Sequence, residues 1–186
     1  ILKSIMKKIK PKLIKFDAVI FSDYGKGMIT DEIVNFIKLK SKTDIITADP
    51  KPDNIEIYKN ITLISPNKKE ASEATGIKIK TEEDIDSIGK KLINKIKVKA
   101  ILLTRGEEGM TLFYNKKKYN IPTVAKEVYD VTGAGDTVVS VATLALTSGA
   151  DFRNAAILSN IAAGKVVGEV GVATLKQKEL IGAIYE

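Results

Sequence analysis

The stretch Asp17-Ala18-Val19-Ile20-Phe21-Ser22-Asp23-Tyr24-Gly25-Lys26-Gly27, followed by Thr30-Asp31-Glu32, sets the pattern for the whole chain. A short apolar run, read as a buried strand, ends in a polar, glycine-bearing loop. A helix start comes next. Thr30 suits an N-cap, Asp31 and Glu32 suit the positive first turn, and Ile33, Val34, Phe36 and Ile37 form one apolar stripe.

The unit repeats outward from there. Apolar residues at 1, 2, 5, 6 and 9 predict a helix over 1–9. Strands are predicted over 44–47, 61–64 and 100–104, with Thr81 and Asp84 as a capping box opening a helix before the last of them. Residues 111–114 and 119–121 flank a lysine-rich turn and predict a hairpin. Helices are predicted over 135–147, 152–167 and 177–185. Strands that are apolar throughout, alternating with helices, predict an α/β three-layer sandwich whose mostly parallel sheet is covered on both faces. Ligands of such sheets bind beyond the carboxyl ends of the strands. Polar motifs gather at those ends: Ser22 to Gly27, Asp49-Pro50-Lys51, Pro66-Asn67-Lys68-Lys69-Glu70, and Thr104-Arg105-Gly106.

Composition narrows the chemistry. The 186 residues suit one domain, and 44% of them are hydrophobic, enough for a sizeable core. No apolar run reaches the ~18–20 residues that cross a bilayer, and no leader pattern opens the sequence, so a cytoplasmic, membrane-free protein is the expectation. There is no Cys and no His, which excludes disulfides, thiolate nucleophiles, Ser-His-Asp triads and the usual zinc sites. Acid–base work falls to Asp, Glu, Lys or Tyr. The net charge is +7, but of 30 basic residues only Arg105 and Arg153 are arginine, and the lysines are spread along the chain. That reads as a solvated surface. Base-reading nucleic-acid binders lean on arginine, and no aromatic platform for single strands is visible, so no nucleic-acid partner is expected.

The strongest motif is Asp130-Val131-Thr132-Gly133-Ala134-Gly135-Asp136, in front of an apolar helix. Gly133, Ala134 and Gly135 let bare backbone approach a ligand, with N–H groups at the positive helix end. That is an anion hole suited to a phosphoryl group in transfer. Asp136 falls in the first turn, where it could take the proton of an attacking hydroxyl. The plainer alternative is a glycine turn with a capping Asp. No Gly-Lys-Ser/Thr follows, so this is not a Walker A loop.

The heptapeptide resembles the signature of the ribokinase-like carbohydrate kinases. The resemblance implies transfer of the ATP γ-phosphate to a sugar hydroxyl, with Asp136 as base and Gly133, Ala134 and Gly135 as anion hole. Asn67-Lys68-Lys69-Glu70 resembles the family's Asn-x-x-Glu, which implies roles at the nucleotide phosphates for Asn67, Lys68, Lys69 and Glu70, with Glu70 serving Mg²⁺. Read without the resemblance, Asn67 and Glu70 could equally be the cap and N3 residue of a helix. Thr104, Gly106 and Gly109 resemble the family's nucleotide-side turn, or form a plain glycine loop. Asn160 stands where the family places an Asn near adenine, on a helix whose small residues could also serve packing alone. A monovalent cation beside Asp130 and Thr132 is a further implication.

Ser22 to Gly27, Asp49-Pro50-Lys51, Glu127-Val128-Tyr129 and the stretch 166–174 resemble the heptose-7-phosphate kinase branch. That implies D-glycero-β-D-manno-heptose 7-phosphate as acceptor, at O1, in ADP-heptose and lipopolysaccharide core synthesis. Asp23 is then expected on a sugar hydroxyl, and Lys26 and Lys51 on phosphates; surface lysines are the alternative for the last two. The rivals are another ribokinase-like sugar or nucleoside kinase, and a nucleotide-binding module without catalysis. The family's N-terminal sugar-binding and lid region is not seen. The expectation is therefore that residues 1–186 are the C-terminal two-thirds of one kinase domain, poorly active alone. Fusion to a nucleotidyltransferase and a homodimer are the partner expectations.

Overall fold

The computed structural model describes residues 1–125, 129–169, 171 and 174–185. The elements are α1 (Leu2–Leu13), β1 (Val19–Ser22), α2 (Asp31–Lys40), β2 (Ile46–Asp49), a 3₁₀ segment (Pro52–Tyr58), β3 (Leu63–Ile64), α3 (Lys68–Thr75), α4 (Glu82–Ile96), β4 (Ala100–Thr104), β5 (Met110–Tyr114), β6 (Lys117–Ile121), α5 (Ala134–Thr147), α6 (Phe152–Val167) and α7 (Gln177–Tyr185).

The strands form one sheet in the order β1-β2-β3-β4-β5-β6. β1 to β4 run parallel, and β5 and β6 add an antiparallel edge. Right-handed crossovers between parallel strands laid down in sequential order put every connecting element on the same face. Accordingly α2, the 3₁₀ segment, α3 and α4 share one core with α1, through Val34, Tyr58, Ala71, Ile88, Leu92 and Leu13. The opposite face waits for α5 and α6, which bring Val138, Ala142, Ala155 and Ala156. β4 shows the sheet buried on both sides: Ile101 and Leu103 point into the first core, Ala100 and Leu102 into the second.

Local signals explain most boundaries. Thr30 caps α2 by accepting from the Ile33 amide, and the Asp84 carboxylate accepts from the Thr81 amide at the start of α4. Asn115 and Lys116, both with positive φ, make the two-residue turn of the β5–β6 hairpin. Differences from the sequence expectation have physical reasons. α1 runs on past residue 9 and through Pro11 because Leu13 continues the buried stripe. β2 lies two residues later than expected, in register with β1 from Val19↔Ile46 to Ser22↔Asp49, which brings Asp49 beside the end of β1. The sequence gives no clear sign of the 3₁₀ segment, whose 7 residues are too few to show a helical period although Ile55 and Tyr58 are buried.

α4 crosses the sheet closely at Gly89. A Cβ there would lie 2.4 Å from the ring of Phe113 on β5, itself buried. Gly89→Ala should therefore destabilise the fold by about 1–3 kcal/mol, despite alanine's better helix propensity. A lowered urea midpoint at unchanged slope checks this; a raised midpoint would mean that Phe113 moves aside freely.

Candidate active site

The parallel strands all end on one edge, and the polar motifs meet there. Asp49 closes β2. Asn67 opens α3, pinned to Thr104 of β4 by a parallel bridge and by the Thr104 amide donating to Pro66 O at 3.0 Å. α5 begins on the other face, with Gly133 as its N-cap at φ +82°, a conformation that favours glycine. The first-turn amides at Gly135 and Asp136 have no acceptor within the helix.

Between these ends lies a cavity of about 750 Å³. Its lining includes Asp49, Lys51, Ser65, Asn67, Lys68, Lys69, Glu70, Thr104, Gly106, Gly109, Ala134, Gly135, Asn160 and Gly164. Every residue expected on the nucleotide thus faces one space, from three separate elements and two loops. Asn160 donates to Pro122 O at 2.7 Å and so fixes the chain leaving β6. Gly109 is required there: a Cβ would stand 2.2 Å from Ile121 O. Arg105 holds the 105–109 turn by pairing with Glu82 and Glu108, while Glu108 also accepts from Lys68 at 2.8 Å. Lys69 is a rim residue, its side chain 84% exposed.

Glu70 fits both readings of its motif. One oxygen accepts from the Asn67 amide at 3.0 Å, completing a capping box with the Asn67 side chain. The other accepts from Lys51 Nζ at 2.6 Å, and both partners line the cavity. Next to them Asp49 is pushed up to about 7, first by burial and then by the charge of Glu70, against the pull of Lys51. A Cβ on Gly135 would be 3.7 Å from Asp49 Oδ2, so this carboxyl also faces the start of α5. In the sequence Asp49 shows only as part of a strand end. Its burial beside a second carboxylate is a tertiary fact that no local pattern carries.

Gly133 and Asp136 flank the lining residues of α5 rather than line the cavity. Asp136 Oδ1 accepts from Ser22 Oγ at 2.9 Å, and Oδ2 accepts from the Tyr24 hydroxyl at 2.7 Å. Sequence reasoning missed both partners, which lie over a hundred residues away. Asp23, expected on a sugar hydroxyl, lies between the two. Asp23 is 3% exposed and turned into the fold, accepting from the Gly25 amide, Asn54 Nδ2 and the Tyr58 hydroxyl, each at 2.8 Å. Lys26 is exposed in the same loop and does not line the cavity. Asp130 accepts from the Thr132 amide at 2.8 Å, which holds its carboxyl below the usual range. Residues 127 and 128, and 170, 172 and 173 of the 166–174 stretch, lie outside the described residues.

Comparison with known proteins agrees with this geometry. The bifunctional protein HldE of Haemophilus influenzae (strain ATCC 51907 / DSM 11121 / KW20 / Rd) is 44% identical over 185 residues, covering 98% of this chain and 38% of that protein. Among solved structures, Arabidopsis thaliana ribokinase complexed with ribose and ATP superposes with a TM-score of 0.77 at 22% identity, over 97% of this chain and 58% of that one. Escherichia coli phosphofructokinase-2 in complex with potassium gives 0.80 at 15% identity, over 97% and 61%. The chain therefore spans well under half of the HldE relative and about three-fifths of the two structures. The model of the pfkB family carbohydrate kinases matches residues 10–179, and with it the fold, the cavity and the 44% relative agree: this chain belongs to that family.

Proposed function

We propose that this chain forms the nucleotide-binding part, the C-terminal two-thirds, of a kinase domain that phosphorylates D-glycero-β-D-manno-heptose 7-phosphate at O1. The observation that carries the reading is Asp136. A carboxylate in the first turn of α5, held by two hydroxyl donors, stands beside a cavity large enough for a nucleotide. A module that only binds nucleotide has no use for such a group. The choice of heptose rests on the identity to HldE. Fusion to a second catalytic unit rests on that relative's bifunctional name and on the 38% of its length that is matched.

In the proposed reaction the O1 hydroxyl attacks the γ-phosphorus. The new O–P bond forms as the bond to the β,γ-bridging oxygen breaks, the hydroxyl proton passes to Asp136, and ADP leaves. The amides of Gly133 to Gly135 receive the charge on the phosphoryl oxygens. Lys51 suits the phosphates as a point charge, and Lys26 suits the sugar phosphate. Asp23 supports this loop from beneath.

Asp49 and Glu70 fit Mg²⁺, since both offer carboxylate oxygens to the cavity and Asp49 is pushed up first by burial and then by the charge of Glu70. The bound ion would neutralise charge on the β- and γ-phosphate oxygens. A monovalent cation beside Asp130 and Thr132 is part of the reading, supported by the ionised Asp130 carboxyl and by the potassium in the Escherichia coli neighbour. Among the described residues no helix is long and apolar enough to cross a membrane, which suits an enzyme acting on free sugar phosphates. A homodimer is also carried in the reading.

Asp136→Asn, in the complete kinase assayed with ATP and heptose 7-phosphate, should lower kcat by about 10²–10⁴ while leaving nucleotide affinity in place. Activity within threefold of the parent would remove Asp136 from the role of base.

Asp49→Asn should stabilise the metal-free fold more at pH 8 than at pH 5. Ordinary aspartate, at 3.8, is ionised in the unfolded chain at both values, whereas folded Asp49 ionises only near 7. The penalty for its charge therefore grows up to that pH and then levels off. Urea titrations at the two pH values read the difference, and equal gains would show that Asp49 carries no such strain.

The chain alone should turn over heptose 7-phosphate far more slowly than a version extended at its N-terminus. The acceptor would lack its orienting contacts, and orientation is worth ~7–11 kcal/mol of barrier. Equal rates for the two proteins would show that residues 1–186 hold the whole site.

A further inference from the structure

Tyr24 is a large aromatic side chain, 64% exposed, yet its position is fixed. Its hydroxyl is anchored on Asp136 Oδ2 at 2.7 Å, and the next residue, Gly25, turns at φ +64° and packs against Lys51, whose Cγ lies 3.7 Å from a Cβ built there. The loop is further held by buried Asp23, so that Ser22 and Tyr24, one on each side of it, both reach the same carboxylate. A carboxylate offers about four lone-pair sites. Among the described residues two are taken by Ser22 and Tyr24, one on each oxygen, which leaves room for a third donor. The exposed ring is therefore a rigid apolar surface whose hydroxyl lies at hydrogen-bond distance from the group that would receive the acceptor's proton.

On the reading of Asp136 as base, we infer that Tyr24 is a positioning residue for the acceptor: its hydroxyl sets the plane of the Asp136 carboxylate, and its ring is the surface on which the carbon face of the sugar ring rests. The hydroxyl donates to Asp136, and that hydrogen bond together with the charge of the carboxylate pushes Tyr24 above its ordinary range and keeps it protonated. The two parts of the role fall on different atoms and can be removed separately.

The test uses the complete kinase with ATP and heptose 7-phosphate, and compares Tyr24→Phe, Tyr24→Leu, Asp136→Asn and the Tyr24→Phe/Asp136→Asn double variant. Tyr24→Phe should lower kcat by about tenfold, with the sugar KM within about twofold, since one hydrogen bond to a charged group is lost and the ring is kept. Tyr24→Leu should show the same loss and, in addition, a sugar KM raised by about fivefold or more, with the KM for ATP and the thermal midpoint unchanged in both. In the Asp136→Asn background, Tyr24→Phe should change kcat by less than about twofold, because its effect runs through that carboxylate. The inference is overturned if Tyr24→Phe keeps the parent's kcat, if it loses the same factor in both backgrounds, or if the ATP and sugar KM values rise together. Should Asp136→Asn itself retain the parent's rate, the base reading fails. Should Asp136→Asn be slow and Tyr24→Phe not, only the role of Tyr24 fails.

Discussion

The carboxylate of Asp23 is the fixed point of the functional edge. It sits one residue past β1, buried, and collects three donors: the Gly25 amide, Asn54 and Tyr58. A buried carboxylate without such partners would be strongly destabilising. With them, it ties the end of β1 to the 3₁₀ segment that follows β2. Extended backbone alternates its side chains. An inward Asp23 therefore turns Ser22 and Tyr24 outward together, and both land on Asp136. Even Tyr58, pushed above the ordinary tyrosine range by burial and by Asp23, is kept a neutral donor through the same contact.

Negative charge accumulates around this edge. Glu70, Asp136 and Asp23 all act on buried Asp49, and Lys51 offsets only part of it. Asp49 responds by holding its proton to about 7, the only inexpensive option for a carboxyl caught between burial and Glu70. A site tuned in this way favours positive charge on arrival, whether from a cation or from the amide ends of a helix. The start of α5, within van der Waals reach of Asp49, supplies the second.

Much of this was legible in the sequence, for reasons that differ by element. The helices announced themselves through caps and stripes, and the strands through apolar runs. Residues 130–136 announced the start of α5 through adjacent glycines, and Asn67 and Glu70 announced α3 through capping spacing. What stayed hidden depended on register. That β2 pairs Asp49 with Ser22 follows from sheet packing, not from residues 44–49 themselves. The partners of Asp23 stayed hidden too, since Asn54 and Tyr58 lie in a segment with no readable periodicity. The lysines were opaque in the same way. Lys51 meets Glu70 and Lys68 meets Glu108 across 19 and 40 residues, while Lys26 stays in the open loop.

The contacts on Asp136 join residues 112 and 114 positions apart. Closing a loop of that length forfeits chain entropy before any contact rewards it, so such pairings form after the local ones. The crossover helices can dock on their face of the sheet as each strand is added, but α5 belongs to the other face and comes late in the chain. It is anchored over β2 by the buried Thr47–Thr143 hydroxyl contact at 2.6 Å. Maturation of the site is thus separable from formation of the sheet. A chain with its parallel strands in place holds Ser22 and Tyr24 ready, and their carboxylate partner arrives only when α5 settles on the other face.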